Sequence, residues 1–399
     1  MKKIIFSVVS IVAMLGLVLF AVQTNLSAAQ ASDVNGRKIV VFQTGLNDAA
    51  KDEIISHAGG VKLKNLDLIG AKAVWLPSRA AAEKLKAHPS VVRVDEDVII
   101  EALDRKGGGG EVIPPAQVLP WGIDRVDAEL VWPDGNTADP VKVGIIDTGI
   151  ANKHPDLLVN VKGGVNTINL KKSWNDDNGH GSHVAGIVAA LNNTIGVVGV
   201  GPAADLYAIK VLNAAGSGYL SDVIEGIQWA VVNGMQVVNM SLGTGSDIQS
   251  FHDAVIAAKN AGIVVVAAAG NSGGSVMYPA AYSEAIAVSA TDQNNVIASW
   301  SSRGPEMDLA APGVSIYSTY KGTGYATLSG TSMAAPHVAG SAALVLNTPV
   351  GGYDVNLNGE WDPDEVQKKL QDRALDLGNT GFDNLYGWGL VNAYSAVQP

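Results

Sequence analysis

A regular alternation of short apolar runs and helical patterns beyond Pro120 constrains the fold of this chain more than any other feature. Strands that are apolar along nearly their whole length, with helices between them, indicate a parallel sheet that is covered on both faces. We therefore expect an α/β domain with a parallel sheet between layers of helices. The predicted strands span 141–146, 205–212, 237–242, 263–269 and 285–290, and the clearest helices span 221–233 and 248–261.

A smaller unit precedes this domain. Residues 37–103 have a β-α-β-α-β order, which favours an α+β fold with a mainly antiparallel sheet. The predicted strands lie at 38–42, 71–76 and 91–100, and the helices near 49–58 and 80–88. The pattern ends at Lys106 and a run of four glycines, 107–110, which is typical of a flexible linker. A domain boundary belongs there.

The first 31 residues have the pattern of an export signal. Lys2 and Lys3 precede an apolar run at 4–22, and small residues follow as far as Ala31, after which we expect cleavage. The protein is thus predicted to be secreted. Because the apolar run is nearly long enough to span a bilayer, an uncleaved N-terminal membrane anchor is the alternative.

Charge and cysteine content exclude several functions. A net charge of -11 argues against a nucleic-acid partner, because phosphate binding requires an excess of lysine and arginine. The sequence has no cysteine, which excludes disulfides, zinc-thiolate sites and a cysteine nucleophile. Stability then has to come from a large core or from bound calcium.

Three short motifs carry candidate catalytic side chains. Asp147, in Asp-Thr-Gly, ends the first long strand, and ligands of parallel sheets bind at the carboxyl ends of strands. His180 lies in Gly-His-Gly-Ser-His, where His183 could suggest a zinc pair, but no HExxH pattern accompanies it. Ser332 stands at a loop-to-helix junction, and we expect Pro336 in the first helical turn. Taken singly, the aspartate could form a turn and the serine could cap a helix.

Together and in this order, Asp-Thr-Gly, Gly-His-Gly-Ser-His and Gly-Thr-Ser-Met-Ala-Ala-Pro-His resemble the subtilisin-like serine proteases across residues 111–399. The resemblance implies a subtilisin-like three-layer fold and an endopeptidase with Ser332 as nucleophile and His180 as general base. Asp147 would then orient the imidazole. The resemblance also implies that Asn271, with the backbone N–H of Ser332, stabilises the oxyanion.

The same resemblance implies how a substrate is held. Two segments would pair with an extended peptide, which favours protein and peptide substrates of broad sequence. Because no carboxylate lines the implied pocket for the residue before the scissile bond, we expect an apolar residue there. The implied substrate-binding residues are Gly216, Ser217, Gly218, Ser241, Leu242, Gly243, Ala268, Ala269, Gly270 and Met277.

Calcium is the expected cofactor, at two loops. The segment 191–197 is similar to the family's high-affinity calcium loop, which implies Gln117, Asp156, Leu191, Asn193, Ile195 and Val197 as ligands. A second loop, 354–365, departs from the simpler family pattern and matches an EF-hand loop, with Gly359 at its sixth position. An ordinary polar surface turn is the alternative there. The ligands of this second loop would be Asp354, Asn356, Asn358, Glu360, Asp362 and Glu365.

The small unit before the linker resembles the inhibitory prodomains of secreted family members, which have a ferredoxin-like fold, template folding and leave their tail in the cleft. We therefore predict a signal peptide at 1–31, a prodomain at 32–103, a processed linker at 104–116 and a catalytic domain at 117–399. Self-cleavage is expected after Leu103, because a leucine suits the apolar pocket. A cut within the glycine run is the alternative, since Asp104 is an unfavourable neighbour. We expect a monomer.

Two other functions remain open at this point. A catalytically idle scaffold could keep the fold, although all four catalytic positions are filled. A lipase or esterase of the α/β-hydrolase type would require Gly-x-Ser-x-Gly and the order Ser, Asp, His, whereas here Asp147 comes first and Ser332 last.

Overall fold

The structure is a computed structural model that describes residues 36–104 and 116–399. These residues form two compact units, 36–65 with 70–98 and 66–69 with 99–104 and 116–399. The predicted signal peptide lies outside the described residues, as does the predicted linker apart from its end residues. Within the described ranges, no helix is both long enough and apolar enough to cross a bilayer.

The first unit has a ferredoxin-like order. Its antiparallel sheet has the order β2-β3-β1-β4, and buried side chains such as Val40, Ile55 and Leu85 form its core. The elements are β1 (Arg37–Phe42), α1 (Asp48–His57), β2 (Val61–Leu66), β3 (Ala71–Trp75), α2 (Arg79–Lys86) and β4 (Val91–Glu96).

In this region one strand was not predicted, and another was predicted with the wrong extent. The sequence analysis missed β2, because Val-Lys-Leu-Lys-Asn-Leu is half polar and its first three residues are exposed. The strand predicted at 91–100 is broken at Asp97 and Val98, and Ile99–Ala102 forms a separate strand, β5, which belongs to a different sheet of the second unit.

The second unit is built on a sheet of seven parallel strands, which confirms the predicted fold class. Its order is β14-β13-β12-β10-β6-β8-β7. The strands are β6 (Lys142–Asp147), β7 (Val161–Asn166), β8 (Asp205–Lys210), β10 (Val237–Met240), β12 (Val264–Ala268), β13 (Ala285–Thr291) and β14 (Leu309–Pro312). All residues of β10, β12, β13 and β14 are buried, as a sheet covered on both faces requires.

Helices lie on both sides of this sheet. Helices α4 and α7 pack together and against β6, whereas α5 packs on α6 and against β6 and β8. The helices are α3 (Trp121–Arg125), α4 (His180–Ala189), α5 (Leu220–Val232), α6 (Gln249–Asn260), α7 (Thr331–Leu346), α8 (Pro363–Asp372) and α9 (Ala393–Val397). Four short strands complete the unit: β9 (Ser217–Tyr219), β11 (Leu242–Gly243), β15 (Ile316–Thr319) and β16 (Tyr325–Leu328).

The position of Pro336 also differs from the prediction. Helix α7 begins at Thr331, so Pro336 lies beyond the first turn and cannot donate to the carbonyl of Ser332. The hydroxyl of Ser241 donates to that carbonyl instead, at 2.9 Å. The Ser241 hydroxyl therefore replaces the helical hydrogen bond that Pro336 cannot make, and it links the first turn of α7 to the loop after β10.

Candidate active site

Asp147 and His180 form a buried pair at the carboxyl end of the sheet. Asp147 is the last residue of β6, and His180 is the first residue of α4. The Nδ1 atom of His180 lies 2.8 Å and 2.9 Å from the two carboxylate oxygens of Asp147. Both side chains are almost fully buried. A carboxylate that binds Nδ1 orients the ring, so that Nε2 is the nitrogen that can exchange a proton.

Glycines on either side of His180 make this approach possible. Gly179 has φ of 118°, which favours glycine, and a Cβ there would lie 2.3 Å from the ring of Tyr320. A Cβ on Gly181 would lie 2.2 Å from the carbonyl oxygen of Gly149. The Gly-His-Gly motif therefore lets α4 begin directly against the loop after β6.

A second carboxylate, Asp176, organises the same turn. Its oxygens accept from the hydroxyl of Thr148 at 2.9 Å and from that of Ser182 at 2.6 Å. They also accept from backbone amides of the turn and of α4, including that of Gly179. The sequence analysis did not single out Asp176, although an aspartate just before Gly-His-Gly was a signal that could have found it.

The environment of His180 favours its charged form. Burial by itself lowers the pKa of His180, but the charge and hydrogen bond of Asp147, with the charges of Asp104 and Asp176, outweigh burial and raise that pKa to about 9. Nε2 of His180 has no hydrogen-bond partner in the described part of the chain. This nitrogen is therefore available to a substrate or to Ser332.

Ser332 is fully buried in the first turn of α7. Its hydroxyl donates to the carbonyl oxygen of Ser241 at 3.0 Å, and not to His180. Since a serine hydroxyl rotates about one torsion, this bond describes one rotamer of the predicted nucleophile.

Asn271 lies after β12, with its side-chain amide oriented by Thr331. The amide oxygen accepts from the backbone N–H of Thr331 at 2.9 Å and from its hydroxyl at 3.0 Å. The amide nitrogen is thereby directed outward, and it donates to the carbonyl oxygen of Leu103 at 2.7 Å. Thr331 is a further residue that the sequence analysis missed, and its place directly before the predicted nucleophile was the available signal.

The two predicted rims hold a strand between them. In the antiparallel sheet β11-β5-β9, Glu101 pairs with both Ser217 and Gly243. The backbone N–H of Ala102 donates to the carbonyl of Gly216 at 2.9 Å, and that of Leu103 to the carbonyl of Ser241 at 3.1 Å. Segments 216–218 and 241–243 thus bind an extended chain by main-chain hydrogen bonds, as β-augmentation requires.

The side chain of Leu103 lies next to Gly243, one of the residues predicted to line the pocket. A Cβ on Gly243 would lie 3.2 Å from Cδ1 of Leu103 and 3.6 Å from Cβ of Met277. A Cβ on Gly270 would lie 2.8 Å from Sδ of Met277. Ala268 and Ala269 are buried at the end of β12, and the amide of Met277 donates to the carbonyl of Ala269. The residues that surround this pocket are therefore small or apolar.

The first predicted calcium loop surrounds the carboxylate of Asp156 with hydrogen-bond donors. This carboxylate is fully buried, and burial raises its pKa. Its hydrogen-bond donors are all neutral: the amides of Asn193 and Val197 and the hydroxyl of Tyr325. The side-chain amide nitrogen of Gln117 donates to the carbonyl of Leu191 at 3.2 Å, and Ala116 pairs with Ile195. Asn193 directs its amide nitrogen, not its oxygen, to Asp156.

The second predicted loop folds around its polar side chains. Asp354 accepts from the amides of Asn358 and Gly359, and Asn356 bonds to Asp362. Gly359 has φ of 80°. Asn358 accepts from the backbone amide of Glu360, and Glu365 accepts from those of Val355 and Asp362. Glu365 is buried, whereas the middle of the loop is exposed.

Comparison with known proteins agrees with this geometry. Residues 138–389 match the family model described as the subtilase family. The chain is 48% identical to M-protease of Shouchella clausii over 317 residues, which are 79% of this chain and 76% of that protein. It is 51% identical to Subtilisin Savinase of Lederbergia lenta over 284 residues, or 71% and 100% of the two chains. It is 41% identical to Subtilisin E of Bacillus subtilis over 401 residues, or 98% of each.

Proposed function

Because this chain belongs to the subtilase family and is a subtilisin-type serine endopeptidase, we propose that Ser332 is its nucleophile, His180 its general base and Asp147 the carboxylate that orients His180. Ser332 Oγ would attack the scissile carbonyl carbon while His180 Nε2 takes the hydroxyl proton. The same proton would then go to the leaving amine, and water would hydrolyse the acyl-enzyme by the same route.

The observation that carries this proposal is the bond from Asn271 to the carbonyl of Leu103. It supports the oxyanion role of Asn271, because the donor is held in place by Thr331 before any charge develops. The backbone N–H of Ser332 is proposed as the second donor.

We propose broad specificity for proteins, with a preference for an apolar residue before the scissile bond. Main-chain pairing of β5 with β9 and β11 supports breadth, since it does not depend on side-chain identity. The small and apolar residues around Leu103 support the apolar preference, because a charged side chain would lose its hydration there without a partner.

The protein is further proposed to be a secreted monomer that matures by cutting itself after Leu103. Residues 32–103 would serve as folding template and transient inhibitor, and cleavage within the glycine run is the alternative. The position of β5 in the cleft supports this proposal, since Leu103 lies where a substrate residue would lie. A leader at 1–31 would direct export.

Calcium is proposed at both loops. In the described ranges, no three acidic or histidine side chains converge closely enough to hold an ion alone, so amide and carbonyl oxygens would complete each set. At the first loop, the donor chemistry fits, because Asp156 is a fully buried carboxylate whose partners are all neutral. Gln117 and the carbonyls of 191, 195 and 197 would supply further oxygens.

At the second loop, the match to an EF-hand supports a calcium site. Asp354, Asn356 and Asn358 occupy the first, third and fifth positions, and the buried Glu365 occupies the twelfth. Asp362 and the carbonyl of Glu360 would complete the set. A bound ion at either loop would stabilise the native state in proportion to its concentration.

One experiment tests the proposed chemistry. Purified protein is incubated with casein, with and without a serine-directed covalent inhibitor, and the labelled residue is identified by peptide mapping. Proteolysis that stops when Ser332 is modified supports the proposal. A label on a different serine would refute it.

A further inference from the structure

The residue that follows Leu103 in the cleft is acidic, and this points to a specificity determinant on the leaving-group side of the bond. We propose that Asp104 slows self-cleavage at neutral pH, so that maturation of this chain is favoured by alkaline conditions. This inference rests on the proposed self-cleavage after Leu103. More generally, the enzyme would cleave a peptide bond more slowly when the residue after that bond is acidic.

The geometry places Asp104 in the active-site cleft. Asp104 is half-buried, and it lines a cavity together with Asn178, Gly216 and Tyr320. A Cβ on Gly330 would lie 2.6 Å from the oxygen of Leu103 and 3.2 Å from the Cα of Asp104. The bond between these two residues therefore passes directly over the backbone that leads into Ser332.

The charged groups that raise the pKa of His180 are carboxylates. Asp147 acts from β6, Asp176 from the turn before α4, and Asp104 from the strand in the cleft. On the neighbouring strand β8, Lys210 lies in register with Asp147 and its Nζ donates to the carbonyl of Thr148, and the ring of Tyr320 lies against Gly179. His183 on the same helix is neutral, because burial lowers its pKa to about 3. Two of the three carboxylates are permanent parts of the site, whereas Asp104 belongs to the bond to be cut.

An added carboxylate matters because His180 must be neutral to accept the proton of Ser332. Each carboxylate near the ring stabilises the imidazolium, and below its pKa the neutral fraction of a base falls tenfold per pH unit. Asp104 also opposes the negative charge that develops on the oxygen of Leu103. Once the bond is cut and this segment leaves, His180 keeps Asp147 and Asp176 but no longer faces Asp104. The mature enzyme should therefore work at lower pH than the precursor processes itself.

The test follows self-cleavage of the full-length precursor between pH 5 and 10, with N-terminal sequencing of the product. Asp104→Asn removes the charge at nearly constant size, and Asp104→Glu retains it as the matched control. We expect the Asn variant to process with a midpoint about one pH unit lower, hence about tenfold faster at neutral pH, and the Glu variant to behave as the parent. Mature enzymes from all three should share one pH profile on a common peptide.

A second measurement is independent of maturation. Mature enzyme is given two peptides that copy residues 98–104 and a following arginine, with Asp or Asn at the position of Asp104. The midpoint of kcat against pH should lie higher for the Asp peptide, because kcat reports groups in the bound complex. Coincident midpoints in both measurements would overturn the inference. If sequencing finds no cut after Leu103 at any pH, the proposed processing fails, whereas the peptide pair still decides the discrimination against carboxylates.

Discussion

The side-chain nitrogen of Asn271 lies 2.7 Å from the carbonyl oxygen of Leu103, while the oxygen of the same amide is held by Thr331. Asn271→Ala removes this donor without disturbing the buried pair of Asp147 and His180. We expect kcat for peptide hydrolysis to fall about a hundredfold or more with little change in KM, a magnitude known from subtilisin itself and not obtained from this geometry.

The enzyme for this measurement is matured by a trace of the parent protease, so that slow self-cleavage does not limit the assay. Asn271→Asp is the matched variant, since it keeps an acceptor for Thr331 but loses the donor. It should lose activity as the alanine variant does at pH 8. A kcat equal to that of the parent in both variants would remove Asn271 from the oxyanion site.

Ser332→Ala should give a folded precursor that never cleaves itself and has no measurable proteolysis, because one nucleophile serves maturation and turnover. The exposed Ser246→Ala, also in a loop of the second unit, is the control and should mature normally. Gel electrophoresis with N-terminal sequencing follows both. Processing of the Ser332→Ala protein in the absence of any other protease would exclude Ser332 as the nucleophile.

Chelation of calcium should lower the Tm of the Ser332→Ala protein, which cannot digest itself. Asp354→Ala combined with Glu365→Ala should remove part of that shift, and Asp156→Ala should remove another part, since each ion stabilises only the native state. Differential scanning calorimetry at several calcium concentrations measures both. A double variant whose calcium response equals that of the parent would mean that loop 354–365 is an ordinary polar turn.

The sequence predicted the parallel sheet well where burial on both faces leaves a continuous apolar run, as in 264–268 and 285–291. It failed where a strand is polar or at an edge. The edge strand β7 contains Gly163 and Gly164, and its sequence therefore has no continuous apolar run. The three motifs identified the candidate triad, because their residues and their order along the chain resemble those of the subtilisin-like serine proteases.

Contacts across the fold were beyond prediction. The roles of Asp176 and Thr331 depend on hydrogen bonds to groups that lie far away in sequence, such as Thr148 and Asn271. The hydroxyl rotamer of Ser332 is set by the nearby carbonyl of Ser241, which no sequence pattern encodes. Local patterns thus found the candidate catalytic residues, and the structure was needed to find Asp176 and Thr331 beside them.

His337 provides a pH-dependent term in stability. It is fully buried in α7, its Nδ1 donates to the carbonyl of Met333 at 2.8 Å, and burial lowers its pKa from 6.5 to about 4. Below pH 6.5 the unfolded chain binds a proton that the native protein does not. The free energy of unfolding must therefore decrease as the pH is lowered from about 6.5 to 4. The contribution is at most about 3 kcal/mol.

We therefore expect His337→Leu, in the Ser332→Ala protein with saturating calcium, to show a weaker loss of stability between pH 7.5 and 5. Denaturant midpoints at each pH provide the measurement, and the comparison is between slopes because the substitution also removes a hydrogen bond. His57→Leu, at an exposed histidine, is the control for the replacement of histidine by leucine. Parallel slopes for the parent and His337→Leu would contradict the assignment.

The pocket around Leu103 should determine where the precursor cuts itself. Leu103 is 8% exposed, and its side chain lies against Gly243 among small and apolar residues. Leu103→Met keeps an apolar side chain of similar volume and should be processed at nearly the parent rate. Leu103→Lys would place an ammonium group beside residues that, in the described part of the pocket, include no carboxylate, and we expect self-cleavage at this bond to slow about tenfold or more. Early N-terminal sequencing distinguishes the results.

Products that begin at Asp104 in the parent and in Leu103→Met, but further along the chain in Leu103→Lys, support the role of the pocket in selecting the bond. Equal rates of cutting before Asp104 in all three would mean that this side chain does not select the bond.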